Sequence, residues 1–262
     1  MNGSDVRRHS MAFESCLFAG RLFAKWRRHP GVPVQALLFP TVLLITYNLL
    51  VGKSMATMTG SDNLDALVPM CAVAGGMFGA IGAAIAIPSE RSGGLLTRFW
   101  TLPVHRASAL TGRLLAEAVR TLVGTVVVTA VGVALGLRFT GGWPAIIPYL
   151  LLPVVIAVAF ATFVTALALR SEGTALFMWL GTSAIGLVFA SPGIAPVDMF
   201  PAWLRPFVQH QPMASVIEMM RGLSSGDLTP APVLVTAGWV TAALVVFLPL
   251  AVRGYRAAAQ GE

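Results

Sequence analysis

The sequence predicts an all-α membrane protein: six transmembrane helices preceded by an amphipathic helix at the membrane surface, with a short helix on one face and a re-entrant helical hairpin on the other. Three observations carry this expectation. Of 262 residues, 56% are hydrophobic and only 11% charged, where a soluble domain carries about 25% charged residues. The uncharged runs are long, and a helix needs about 20 apolar residues to cross a hydrocarbon core of about 30 Å, where unpaired backbone N–H and C=O groups are not tolerated. The lysines and arginines, finally, are distributed very unevenly along the chain.

Residues 1–30 form a polar tail and the amphipathic helix. Between Phe13 and Arg28, the charges Glu14, Arg21, Lys25 and Arg28 share one helical face, while Cys16, Ala19, Phe23 and Trp26 lie opposite. That helix is either a basic anchor or a lever joined to the first span, and Pro30 and Pro33 end it. Met1 to Pro30 has no separate apolar region with a cleavage site, so no cleaved signal peptide is expected. The membrane domain then occupies residues 31–262. Spans are expected at residues 34–52 and 66–89, both uncharged, and at 114–137, which carries Glu117 and Arg120 in its first turns. After a turn at Gly141, Gly142 and Pro144 come spans at 145–169, 173–197 and 228–252.

Basic residues flanking spans stay in the cytoplasm. With six spans both termini share a side, and fourteen of the eighteen lysines and arginines fall there; only Lys53, Arg138, Arg205 and Arg221 fall on the other. Both ends are therefore expected in the cytoplasm, with the chain in the plasma membrane. The net charge of +7 is explained by orientation and anionic lipid headgroups, and calls for no nucleic acid. Cys16 and Cys71 are too few and too far apart for a disulfide framework or a closed zinc site.

Three further features stand out. The cytoplasmic stretch from Glu90 and Arg91 through Gly93 and Gly94 places Leu95 with Phe99 and Leu96 with Trp100 at i,i+4, giving a short helix with a bulky apolar face while Arg98 points elsewhere. Pro103 stops it, and Arg106 precedes the next span. This face either lies in the headgroups or docks in another protein's groove with Phe99 and Trp100 as anchors. Prolines at 192, 196, 201, 206 and 212 divide an outer segment that either dips into the outer leaflet as a cap or rests on it, with Trp203 as interfacial anchor. In that segment Glu218 and Arg221 have the spacing of an i,i+3 pair. Arg113, Glu117 and Arg120 form an i,i+4,i+7 row that can neutralise itself near the cytoplasmic end of the third span, as a structural ladder or a substrate contact. Small residues at 72, 76, 75, 79, 82 and 86, and at 132 and 136, allow close helix approach.

The chain has no Gly-x-x-x-x-Gly-Lys-Ser/Thr loop for nucleotide phosphates, no His-Glu-x-x-His, and four scattered histidines, His9, His29, His105 and His210. It has no acid or base in mid-span that would mark an ion relay. Such a chain reads as a permease powered by a separate polypeptide, with no catalytic residue and no metal site of its own. A membrane-embedded lipid-modifying enzyme would need clustered acids or a His-Asp pair, which are missing. An ion-gradient-driven transporter would need broken helices, for which Pro148 and Pro153 are the only hint.

The stretches Glu90-Arg-Ser-Gly-Gly-Leu-Leu through Leu102-Pro-Val-His-Arg106, and Pro201-Ala-Trp-Leu-Arg-Pro-Phe-Val208 through His210-Gln-Pro212 and Met220-Arg-Gly222, resemble the type-2 ABC exporter permeases, also called ABC-2 or type V exporter-like. Within these the chain is most similar to the daunorubicin-resistance-type permeases of actinobacteria, a group whose mycobacterial member is linked to export of the waxy lipid phthiocerol dimycocerosate. The resemblance covers nearly the whole chain. It implies two permease protomers, identical or homologous, and two ATPase subunits that carry ATP and Mg. It makes residues 94–102 the coupling helix, with Glu90, Arg91, Gly93 and Gly94 at its entry. It makes Phe13 to Arg28 the interfacial connecting helix, and residues 198–224, with Trp203, His210, Pro212, Glu218 and Arg221, the exit-capping hairpin. The cargo expected on an uncharged path is a lipid or a hydrophobic drug.

Overall fold

The computed structural model describes residues 10–28, 30–59, 64–93, 108–171, 173 and 175–260, and every regular element among them is helical. In chain order these are α1 (Met11–Arg28), α2 (Gly31–Thr59), α3 (Leu64–Ala84), α4 (Ala86–Ser92), α5 (Ser108–Leu135), α6 (Ile146–Ala168), α7 (Ala175–Phe189), α8 (Arg205–His210), α9 (Pro212–Ser225) and α10 (Pro230–Gln260), with 3-10 turns at Trp143–Ala145 and Val197–Met199. Among the described residues, four stretches are long and apolar enough to cross a membrane: Leu64–Ser92, Ser108–Leu135, Trp143–Ala168 and Pro230–Ala257. Shorter apolar stretches occupy Ala36–Leu50 within α2 and Ala175–Phe189.

α3 stands at the centre, in contact with α2, α5, α6, α7 and α9. It is apolar all round, and such a helix belongs inside a bundle. In lipid, helices gain little from hiding apolar surface and associate through close van der Waals contact, so small residues at the crossings matter. Gly76 shows this: a Cβ there would lie 2.8 Å from the Ala157 methyl of α6 and 3.2 Å from Cγ2 of Thr121 on α5. Gly76 is thus where three helices meet.

Helix ends follow local chemistry. The span expected at 66–89 divides at Ile85 into α3 and α4, because Pro88 removes an N–H and its ring crowds the carbonyl of Ala84. The stretch expected at 173–197 is helical only from Ala175 to Phe189; Pro192 and Gly193 follow, and the Gly193 backbone sits directly on the Met70 side chain. Fifteen helical residues rise about 22 Å. At the C-terminus of α9, Gly226 adopts φ +86°, the left-handed cap that glycine supplies without strain. The N–H groups of Thr140 and Gly141 donate to the Ser224 carbonyl at 2.8 and 3.0 Å, so the turn after α5 satisfies an otherwise orphaned helix end.

Candidate functional site: a buried charge cluster and an apolar pocket

α1 is fixed against α5 rather than lying free. Its inward face is Glu14, Ser15 and Ala19, with Phe18, Leu22 and Trp26 half-buried beside them. Gly112 makes the approach possible: a Cβ there would lie 2.5 Å from the Phe18 Cβ and 2.8 Å from the Ser15 carbonyl oxygen. Two hydrogen bonds fix the register. Ser108 Oγ donates to Glu14 Oε2 at 2.6 Å, and the Ser15 and Thr111 hydroxyls lie 2.6 Å apart. The amphipathic reading of this helix is corrected in two places. Glu14, expected on the polar outer face, is buried because Ser108 satisfies it, and Cys16, expected on the apolar face, is exposed. Arg21 and Arg28 are exposed as expected, and Phe23 and Trp26 pack edge to face with centroids 5.5 Å apart.

Glu90 ties α4 to its neighbours. One carboxylate oxygen accepts a short hydrogen bond from Arg113 Nη2 of α5; the other lies 3.5 Å from Lys25 Nζ of α1. Arg113 Nη1 also donates to the Ala83 carbonyl at 3.1 Å, and its guanidinium faces the Tyr255 hydroxyl of α10. Arg91 Nη1 donates to the Leu169 carbonyl just after α6, at 3.2 Å. Five helices and the end of a sixth therefore converge on Glu90, Arg91 and Arg113. Gly93 ends α4, its N–H bonded to Ser89 O at 3.0 Å. Gly94, Leu95, Leu96, Arg98, Phe99, Trp100, Pro103 and Arg106 lie outside the described residues.

The expected row of Arg113, Glu117 and Arg120 does not form one ladder. Arg113 is drawn to Glu90, and among the described residues Glu117 forms its ion pair with Arg120. That second pair is deeply buried, at 2% and 6% exposure, and the Arg120 guanidinium lies directly on Gly79 of α3. Above it Thr121, Thr125 and Thr129 recur at i,i+4 on the inward face of α5, their hydroxyls buried without a hydrogen-bond partner, as are Glu117 Oε1 and Arg120 Nε. This polar stripe was not singled out from the sequence, although threonines at that spacing were its available signal.

At the opposite end, Trp203 is 79% exposed and His210 is exposed, its Nδ1 2.8 Å from the Pro206 carbonyl. Pro212 opens α9 as its first residue. Glu218 and Arg221 are both exposed and make no ion pair with each other; α9 turns them to its outer surface, where such a pair gains little over hydration. Beside α9 lies an apolar pocket of about 310 Å³, walled by Val73 and Met77 of α3, Phe160 and Phe163 of α6, and Trp239 and Phe247 of α10, with Gln211 at its edge. Phe163 and Phe247 meet edge to face at 4.8 Å. The sequence reading missed this pocket, although positions 239, 243 and 247 share one helical face.

The described residues thus form helices long and apolar enough to cross a membrane, with an apolar pocket among them and a charge cluster at the basic end. The chain belongs to the ABC-2 family: residues 44–253 match the family described as ABC-2 family transporter protein. It is 35% identical, over 98% of its own length and 93% of the relative's, to the protein of Mycobacterium tuberculosis named "Probable doxorubicin resistance ABC transporter permease protein DrrC". It is also 24% identical to "Daunorubicin resistance ABC transporter permease protein DrrB1" of Streptomyces coeruleorubidus, over 90% of this chain and 83% of that one.

Proposed function

We propose that this chain is the permease subunit of an ATP-driven exporter that moves a hydrophobic or amphiphilic cargo, a lipid or a drug, out across the plasma membrane. It works with two ABC ATPase subunits, which bind ATP and Mg, and with a second permease protomer. It crosses the membrane six times with both termini in the cytoplasm, in line with fourteen of its eighteen lysines and arginines falling on that side. The names of the two relatives support a drug as cargo; the apolar pocket supports any greasy molecule.

The single observation that carries the mechanism is the convergence on Glu90 and Arg113. Residues 94–102, directly after α4, are the coupling helix gripped by the ATPase. Motion of that segment reaches α4, and Glu90 passes it to α5 through Arg113 and to α1 through Lys25, while Arg91 passes it to the end of α6. Such work requires contacts that differ between two states, and ion pairs re-form in either. The test is the double variant Phe99→Ala, Trp100→Ala in a complex co-purified with its ATPase. ATP-dependent export falls at least tenfold while the permease still inserts and assembles; undiminished export by a normally assembled complex overturns the reading.

A further inference from the structure

A small cavity beside α1 gives the charge cluster room for a second arrangement. It measures about 80 Å³ and is lined by Glu90, Arg113 and Glu117 together, with Gly82 of α3 and Lys25 and Trp26 of α1. A water takes about 30 Å³ in the liquid, so the space is large enough for a guanidinium group. It is also unobstructed at Gly82, where an added Cβ would meet nothing within 4 Å. Arg113 borders this space with its guanidinium turned to Glu90 and to the Ala83 carbonyl. One turn further along α5, Glu117 gives one carboxylate oxygen to Arg120, and the other, Oε1, has no hydrogen-bond partner. A buried carboxylate oxygen left so is costly. It is closed to solvent, so no outside molecule serves it. A donor on the same helix can, because side chains at i,i+4 are neighbours and a carboxylate turns freely about its own terminal bond. Glu117 is already near enough for its charge to act on Arg113.

We propose that Arg113 is a two-position switch, which leaves Glu90, swings into this cavity and closes on Glu117. Neither position strands a charge. In the first, Glu90 holds Arg113 and Glu117 holds Arg120. In the second, Glu90 keeps Lys25, which is half-exposed, stands 3.5 Å away and is free to close in, while Glu117 lies between Arg113 and Arg120. The two positions connect the helices differently. The first joins α5 to α4 through Glu90 and to α10 through the Tyr255 hydroxyl; the second satisfies Arg113 within α5 and releases both. Glu90 then ties α4 to α1 alone. Arg113 is thus a positioning residue, and its exchange supplies the second set of contacts that a two-state protein needs. That the motor drives the exchange rests on the exporter reading; the switch itself does not.

The experiment uses the purified full-length chain in lipid nanodiscs, without the ATPase, carrying Gly82→Cys and Cys16→Ser; Cys71 is buried. The rate of modification by methyl methanethiosulfonate, a small neutral thiol reagent, reports whether the cavity is open. Adding Glu90→Gln frees Arg113 to take its second position, so the thiol at position 82 reacts about tenfold more slowly, a ratio that one hydrogen bond between charged groups supplies. Adding Glu117→Gln as well removes the charge that draws Arg113 in and restores the rate. A loosened or misfolded chain reacts faster, so poor folding cannot imitate the slowing. An equal or faster reaction with Glu90→Gln, or slowing that persists with Glu117→Gln, overturns the proposal. The exporter reading is tested apart from this, in the complex with its ATPase, where trapping with ATP and vanadate slows the same thiol. Slowing in the isolated chain with none on trapping counts against the exporter reading and leaves the switch standing.

Discussion

At the basic end of the molecule α1, α4 and α5 are joined through the charged side chains of Lys25, Glu90 and Arg113, and a second ion pair, Glu117 with Arg120, is buried within α5. Arg113 and Arg91 also donate there to the Ala83 and Leu169 carbonyls, whereas at the opposite end no ion pair forms between described residues and the joints run to backbone carbonyls. Tyr47 donates to Ile194 O at 2.8 Å, Arg205 to Phe200 O and Asp198 O at 2.8 Å each, and Thr140 to Ser224 O. Carbonyls are fixed in the chain, so these bonds hold one geometry. Carboxylate–guanidinium contacts sit on rotatable side chains and can exchange partners as helices slide. The contrast supports the proposed reading, in which the protein is driven at one end and framed at the other.

Substitutions can break or sharpen that contrast. The largest effect belongs to Glu117→Ala, which leaves Arg120 buried and unpaired on Gly79; removal of one partner of a buried pair costs about 3–5 kcal/mol. It should show as a marked drop in melting temperature in detergent, and replacement of both residues by Met and Leu should recover most of it. Gly112→Val comes next. Its side chain strikes the Phe18 Cβ and the Ser15 backbone, and overpacking of this kind costs about 1–3 kcal/mol. Because it prises α1 from α5, proteolysis between residues 28 and 30 should become faster. At the framed end, Tyr47→Phe loses one hydrogen bond to Ile194 O, about 1 kcal/mol, with no effect on the α1 contact. The smallest change is Lys25→Ala. Lys25 is half-exposed at 51%, 3.5 Å from Glu90, and exposed pairs contribute below about 1 kcal/mol. A melting shift for Lys25→Ala as large as that for Glu117→Ala would refute the ranking.

How much of this could be read in advance depended on range. The apolar helices were legible because lipid imposes a run of about 20 residues that composition alone reveals. Pro192 was legible as an interruption, though not where its helix would stop, and Pro88 was passed over inside a span expected to run unbroken from 66 to 89. The partner of Arg113 was not legible: i,i+4 spacing offered Glu117, whereas the packing of α4 beside α5 brings Glu90 from another helix. Glu14 misled for a related reason, since helical periodicity groups it with Arg21 and Lys25 and cannot foresee a Ser108 hydroxyl waiting in α5. The pocket was hidden because a membrane helix shows apolar residues to lipid and to protein alike. Phe160 and Phe247 therefore carry no mark of the face they take. Only Gln211, a polar residue buried beside them, separates this cavity from any other gap between greasy helices.

The most direct test of the account is ATP-dependent export of a hydrophobic fluorescent dye from proteoliposomes holding the permease with its ATPase, comparing the unaltered complex with Glu90→Ala. The account predicts that ATP hydrolysis persists while export falls at least tenfold, and that the charge exchange Glu90→Arg with Arg113→Glu restores part of it. Export by Glu90→Ala equal to that of the unaltered complex would contradict the central claim that this cluster passes the motor's motion into the membrane helices.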